Sequence, residues 1–197
     1  MRFRIFFVTV LGGLSMALVS CKTGEVIFPP EGVDHLAMTV TVDVDIHGIG
    51  KDSIELQGTV AVHRSGPSGP EGKTMTGELV GASLHGSSKV FGAVYAVQSP
   101  IESSPCKYVY EGPVNSRYRG YFDINGWFWL PEHKLFVRTG SPVTVEGPAA
   151  AIPPVGSRAD MTAKDVPLHD INKPKEPPIG VLSRASGEIR ELVRLKA

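Results

Sequence analysis

Met38-Thr39-Val40-Thr41-Val42-Asp43-Val44-Asp45-Ile46-His47 decides the fold. Every even position is apolar and every odd position is polar. A period of two over this length is that of a β-strand with one dry face and one wet face. The next run repeats it: Ile54, Leu56, Val60 and Val62 alternate with Glu55, Gln57, Thr59 and His63. Gly48–Ser53 lies between them, so the two runs read as an antiparallel pair. Ser65–Lys73 is a turn-rich loop. Thr74–Leu84 and Lys89–Val97 then read as a second hairpin around Gly86-Ser87-Ser88. Lys107–Tyr110, Leu135–Val137 and Val143–Val145 supply shorter strands.

Asn125-Gly126 is the sharpest local turn signal, because this pair accepts the positive φ angles of a two-residue type I′ hairpin. Such a turn sets Ile124 opposite Trp127, Phe122 opposite Trp129 and Tyr121 opposite Leu130. Tyr118, Phe122, Ile124, Trp127 and Trp129 then share a core face. Tyr121, Phe128 and Leu130 share the other face with Asp123. Exposed apolar patches mark interaction sites, so Tyr121, Phe128 and Leu130 form the candidate binding surface, for a protein or glycan ligand. The bland alternative is that both faces are covered, one by an opposing sheet and one by a C-terminal arm or helix.

Eight to ten short strands with regularly spaced turns point to an all-β protein. An antiparallel β-sandwich over residues 37–154 is favoured over a barrel. Past Pro153-Pro154 the pattern changes. Residues 155–185 are polar and contain Pro167, Pro174, Pro177 and Pro178, which predicts an extended Pro-rich arm. Ile189, Leu192 and Val193 follow at helical spacing behind Ser186, a capping residue type. A short amphipathic helix over 186–197 is expected there, docked on something because it is marginal alone.

Two arginines, Arg2 and Arg4, precede a 15-residue apolar run, Ile5–Val19, which ends in Leu18-Val19-Ser20-Cys21. The run is shorter than the ~20 residues of a spanning helix and has the flanks of a secretory signal. It resembles the signal peptide of bacterial lipoproteins. That resemblance implies cleavage before Cys21 and lipidation of the Cys21 sulfur with palmitate-type chains. It also implies attachment of the exported protein to a membrane of the bacterial cell envelope. Residues 1–20 are then the signal peptide and 21–36 a lipidated tether. Each buried CH₂ contributes about 0.8 kcal/mol, and two or more chains hold stably where one does not. Lys22, where an aspartate would favour inner-membrane retention, leans the implied location toward the outer membrane of a diderm. Further on, Leu79–Leu84, Pro142–Val145 and Ile152–Pro154 resemble uncharacterised secreted bacterial β-domains, a likeness that implies no activity.

Composition excludes some partners. Twenty basic residues balance twenty acidic ones, so no basic excess suggests nucleic acid. Cys21 and Cys106 are the two cysteines. With lipid on Cys21, no internal disulfide forms and core burial must hold the fold. Cys106, after Ser103-Ser104-Pro105, is either buried and inert, paired between molecules, or reactive.

Motifs for catalysis are sparse. His47-Gly48-Ile49-Gly50-Lys51-Asp52 departs from a phosphate-binding loop, with acidic residues where that motif needs Gly and Ser or Thr. Asp43, Asp45 and His47 share a strand face, but residues two apart on a strand are about 6.5–7 Å apart. A single ion with ligands at about 2.0–2.6 Å cannot gather all three from one regular strand. No cofactor motif occurs. The expectation is a non-catalytic binding or structural module. A hydrolase or metal-dependent enzyme would need His47, His63 or His85 to meet carboxylates in a loop-built site. A subunit of an envelope assembly would use the arm or the terminal helix as its contact.

Mass spectrometry of the native N-terminus checks the anchor. The expected species begins at Cys21 and carries the mass of two or three acyl chains. A full-length chain with an unmodified Cys21 overturns it.

Overall fold

The computed structural model describes residues 28–112, 117–162 and 164–193. Cys21, the expected tether as far as residue 27, and residues 194–197 lie outside the described residues. Twelve strands follow in chain order: β1 (Gly32–Ile46), β2 (Gly50–Ser68), β3 (Thr74–Ser88), β4 (Gly92–Gln98), β5 (Pro105–Tyr110), β6 (Tyr118–Ile124), β7 (Gly126–Leu130), β8 (Leu135–Thr139), β9 (Val143–Ala149), β10 (Arg158–Met161), β11 (Val166–Asp170) and β12 (Gly180–Leu192). The two opening runs pair as their alternation predicts, from Gly32 opposite Arg64 to Ile46 opposite Gly50.

The twelve strands reduce to eight. β4 ends at the level where β5 begins, and the same holds for β6 and β7, β8 and β9, and β10 and β11. Each of these pairs is one long strand broken in the middle. β4 and β5 both pair with β3, at opposite ends of it. β7 pairs with β4 while β6 pairs with β5. β8 and β9 continue the pattern, as do β11 and β10. Both of the last two pair with β12, which returns to β1. The result is an eight-stranded antiparallel meander closed on itself. At ~3.3 Å per residue, a strand as long as the 19-residue β2 is about 60 Å in length.

The all-β antiparallel character expected from the sequence is present. The opposing walls that a sandwich would build from two sheets are parts of one closed sheet. The expected arm over 155–185 instead contributes β10, β11 and the start of β12. The expected helix over 186–197 is replaced, as far as Leu192, by strand. Leu182, Ala185, Gly187 and Ile189 face inward, and a register shift opposite Asp43/Val44 accounts for the slip in their spacing. That shift hid the period of two and left a weak helical spacing at Ile189, Leu192 and Val193. A long ladder to β1 outweighs such a local preference.

Outward positions of β1 and β2 are mostly polar or charged, among them Asp43, Asp45, Lys51 and Glu55, and inward positions are mostly apolar. This is the reverse of a membrane-spanning barrel, whose lipid-facing side is apolar. No helix among the described residues is long and apolar enough to cross a membrane.

Two cores fill the barrel, one near each end. The core at the Ile46 end includes Val44, Ile46, Ile54, Phe91, Val137 and Leu168. The core at the other end includes Phe28, Leu36, Met75, Cys106, Tyr108 and Tyr118. Phe28 packs on Tyr118 with ring centroids 5.1 Å apart. The same end holds a buried ion pair on the inner face. Arg64 Nε donates to Asp34 Oδ2 at 2.5 Å and Nη2 donates to Oδ1 at 3.1 Å. Arg64 Nη1 also donates to the Pro30 carbonyl. The guanidinium thereby ties the entering chain to β2.

Cys106 sits in β5 rather than in a loop and is buried. Burial, and secondarily Glu78, push its thiol up to about 12 from 9.0. A folded-state value above the unfolded one favours the fold below about pH 9, and that contribution is lost as pH rises toward 12.

Two outcomes are expected. Arg64→Met strands a buried carboxylate and lowers unfolding free energy by about 3–5 kcal/mol in urea titrations, while Asp34→Asn with Arg64→Met recovers much of it. Cys106 labels with iodoacetamide at pH 8 far more slowly in native protein than in guanidinium. Equal rates would place the thiol at the surface.

Candidate functional site

Between the two cores the inward positions become small. Ala82, Ala96, Gly120, Gly147, Ala159 and Gly187 occupy sites where the cores carry Leu, Ile or Phe. Strand pairing brings them together: Ala159 lies opposite Gly187, and Gly120 opposite Gly147. Small side chains on facing walls of an eight-stranded barrel leave unfilled space. The cavity there is about 170 Å³. An apolar cavity of about 150 Å³ suffices to bind benzene. The core at the Ile46 end holds a void of only about 10 Å³, far less than the space in the middle.

Residues around the cavity show the same thing through exposure. Leu36, Val42 and Leu56 on the inner face are 1–3% exposed. Met38, Val40, Leu84, Phe122, Ile124 and Phe128 also point inward and line the cavity, yet are only half-buried. The walls are almost wholly apolar. The polar exceptions include Gln98, Thr139, Ser186 and Tyr108. Thr139 Oγ1 accepts from the Gly126 amide at 3.3 Å. Arg158, at the border, is exposed and pairs with Asp160 at 3.2 Å.

Three of the four strand breaks, those of β4/β5, β6/β7 and β8/β9, fall at the level of this cavity. Gln98, Gly126, Thr139 and Val143 flank breaks and line it. The wall is held at the breaks by side chains as well as by ladder bonds. Asn125 donates its amide to Ser104 Oγ at 3.0 Å and its Nδ2 to the Ser103 carbonyl at 2.7 Å. The Asn125 carbonyl accepts from Ser99 N at 2.8 Å.

This corrects the hairpin expected at Asn125-Gly126. Neither residue has a positive φ, and β6 and β7 do not pair with each other. They are two halves of one strand, whose even positions from Tyr118 to Leu130 all face inward. That unbroken period was visible in the sequence, and the strong turn signal masked it. The candidate binding surface is accordingly dispersed. Leu130 is buried in the core at 3% exposure, Phe128 lines the cavity, and Tyr121 is half-buried on the outer face. Trp127 and Trp129 lie outside, not in the core. The outward aromatic row is instead exposed Tyr95, half-buried Trp129 and exposed Phe136 on adjacent strands, with Trp129 and Phe136 stacked at 4.2 Å.

The residues weighed for catalysis do not converge. His47 follows β1 at one end, while His63 stands near the other and meets Glu31 at 3.4 Å. His85 is on the outer face, opposite Gln57. No group of three or more His, Cys, Asp or Glu among the described residues is placed to hold a metal. The His47–Asp52 segment is a hairpin. Asp52 accepts from Ser88 Oγ at 2.6 Å and from the Lys89 amide at 3.0 Å. The Ser88 bond chiefly holds its carboxyl below the usual range.

A solved structure of DynF from the dynemicin biosynthesis pathway of Micromonospora chersina has the same fold. Its TM-score is 0.76 at 19% identity, over 84% of this chain and 83% of DynF. No curated protein matches. A family model matches residues 22–196, nearly all of the chain after the apolar N-terminal run, and the chain therefore belongs to the family of unknown function DUF6073.

Proposed function

We propose that this chain is a non-catalytic binding module whose barrel interior holds one small apolar molecule. The observation that carries this reading is the cavity of about 170 Å³ between two packed cores. Apolar walls with a few polar groups are typical of small-molecule sites, and an eight-stranded barrel is just wide enough for one small ligand. A polypeptide that only needed stability would fill such a space, since each unfilled methyl-sized gap costs about 1 kcal/mol. DynF, a chain of the same fold, comes from a biosynthesis pathway, a setting that involves small molecules.

The lipid at Cys21 belongs to the same proposal. The tether would leave the barrel beside Phe28 and the Asp34–Arg64 pair, so the buried pair would anchor the folded body to the acylated segment. Held at an envelope membrane, the cavity would take an apolar molecule at the surface where such molecules partition.

Titration with naphthalene, followed by its fluorescence, tests the cavity. Saturable binding at one site per chain is expected. Ala82→Leu and Ala159→Leu each place bulk in the cavity. Each is expected to weaken binding more than tenfold while the melting temperature holds or rises, as for other compatible cavity-filling changes. Absence of saturable binding to the wild-type protein overturns the reading. Tightly held stoichiometric metal in the purified protein would instead favour the metal-dependent enzyme.

A further inference from the structure

Resting on the cavity reading above, we infer that the ligand is an uncharged molecule with one hydrogen-bonding oxygen on an apolar body, and that Tyr108 reads that oxygen. Tyr108 projects inward from β5 and lines the cavity. It is 2% exposed. Its ring is fixed on two sides. It meets Phe122 edge-on at 5.6 Å and 89°, and it lies so close over Gly120 that a Cβ there would stand 3.2 Å from the ring. The hydroxyl makes no hydrogen bond with a described residue. A ligand acceptor placed beside it would gain one net hydrogen bond.

The groups that face Tyr108 fix the charge of the site. Asp34 and Arg64 are near enough to act on it electrostatically, and they bond to each other and to the Pro30 carbonyl. Cys106, also nearby, is a neutral thiol. Burial raises the Tyr108 hydroxyl above the ordinary tyrosine range, so it remains a donor at neutral pH. An anionic ligand would lose its hydration and find one neutral hydroxyl in return, an unfavourable exchange. A neutral alcohol, ketone or ether loses much less.

Three probes of one shape separate the possibilities: naphthalene, 2-naphthol and 2-naphthoate. In wild-type protein, 2-naphthol is expected to bind about three- to tenfold tighter than naphthalene, the range of one net hydrogen bond. The naphthoate anion is expected to bind more weakly than either. Tyr108→Phe should bring 2-naphthol to the level of naphthalene and leave naphthalene binding unchanged. A naphthol advantage that survives in Tyr108→Phe assigns the oxygen to another residue and overturns the inference. So does tightest binding of naphthoate. Failure of all three probes would sink the cavity reading itself. Should Tyr108→Phe not fold, the infrared carbonyl stretch of 2-acetylnaphthalene on wild-type protein decides. A shift to lower wavenumber than in hexane is expected, and a hexane-like value overturns the proposal.

Discussion

The ladder between β1 and β12 is the interaction on which the rest depends. It runs from Leu36 opposite Leu192 to Ile46 opposite Gly180 and joins the ends of an eight-stranded meander. Without it the sheet would have two long free edges, each a row of unpaired amides and carbonyls. With it the strand number sets the width of the barrel. The interior must then be filled by whatever side chains point inward. Long strands make this a long interior, and the chain packs it near both ends and leaves it hollow between them.

The broken strands belong to the same constraint. Three continuous strands and the closing β12 make one side of the barrel, and four interrupted strands make the other. An interruption lets a strand change direction without losing its neighbours. Three of the interruptions coincide with the cavity, where small inward residues already loosen the wall. At those positions side chains take over part of the backbone's role, as those of Asn125 and Ser104 do. Polar groups inside the barrel are few, and those at its Tyr118 end are neutral or satisfied. The buried Asp34–Arg64 pair is bonded within itself and to Pro30, and Tyr108 joins Gln98, Thr139 and Ser186 as the polar groups on the cavity wall.

Much of the architecture was legible in the order of residues. The alternation from Met38 to His47 named a half-buried strand, its partner and their antiparallel sense. The β3–β4 hairpin and the strands around Lys107, Leu135 and Val143 were legible too. The Asn125-Gly126 reading went astray because a turn signal is local, whereas the ladder bonds that override it come from strands distant in sequence. The C-terminal third was misread for a related reason. A bulge and several glycines blurred its period, and prolines suggested an arm. Tyr121, Phe128 and Leu130 scattered to three environments once the hairpin between them was gone.

The sequence by itself determined that this is an antiparallel β protein with polar outward faces and an N-terminus that resembles a lipidated export signal. These follow from periodicity and composition, which act between near neighbours. Only the tertiary structure decided that the sheet closes and that β12 closes it. It alone showed the inward alanines and glycines of separate strands facing one another across an empty space. A cavity is a deficit of volume among residues far apart in the chain, so no window of sequence contains it.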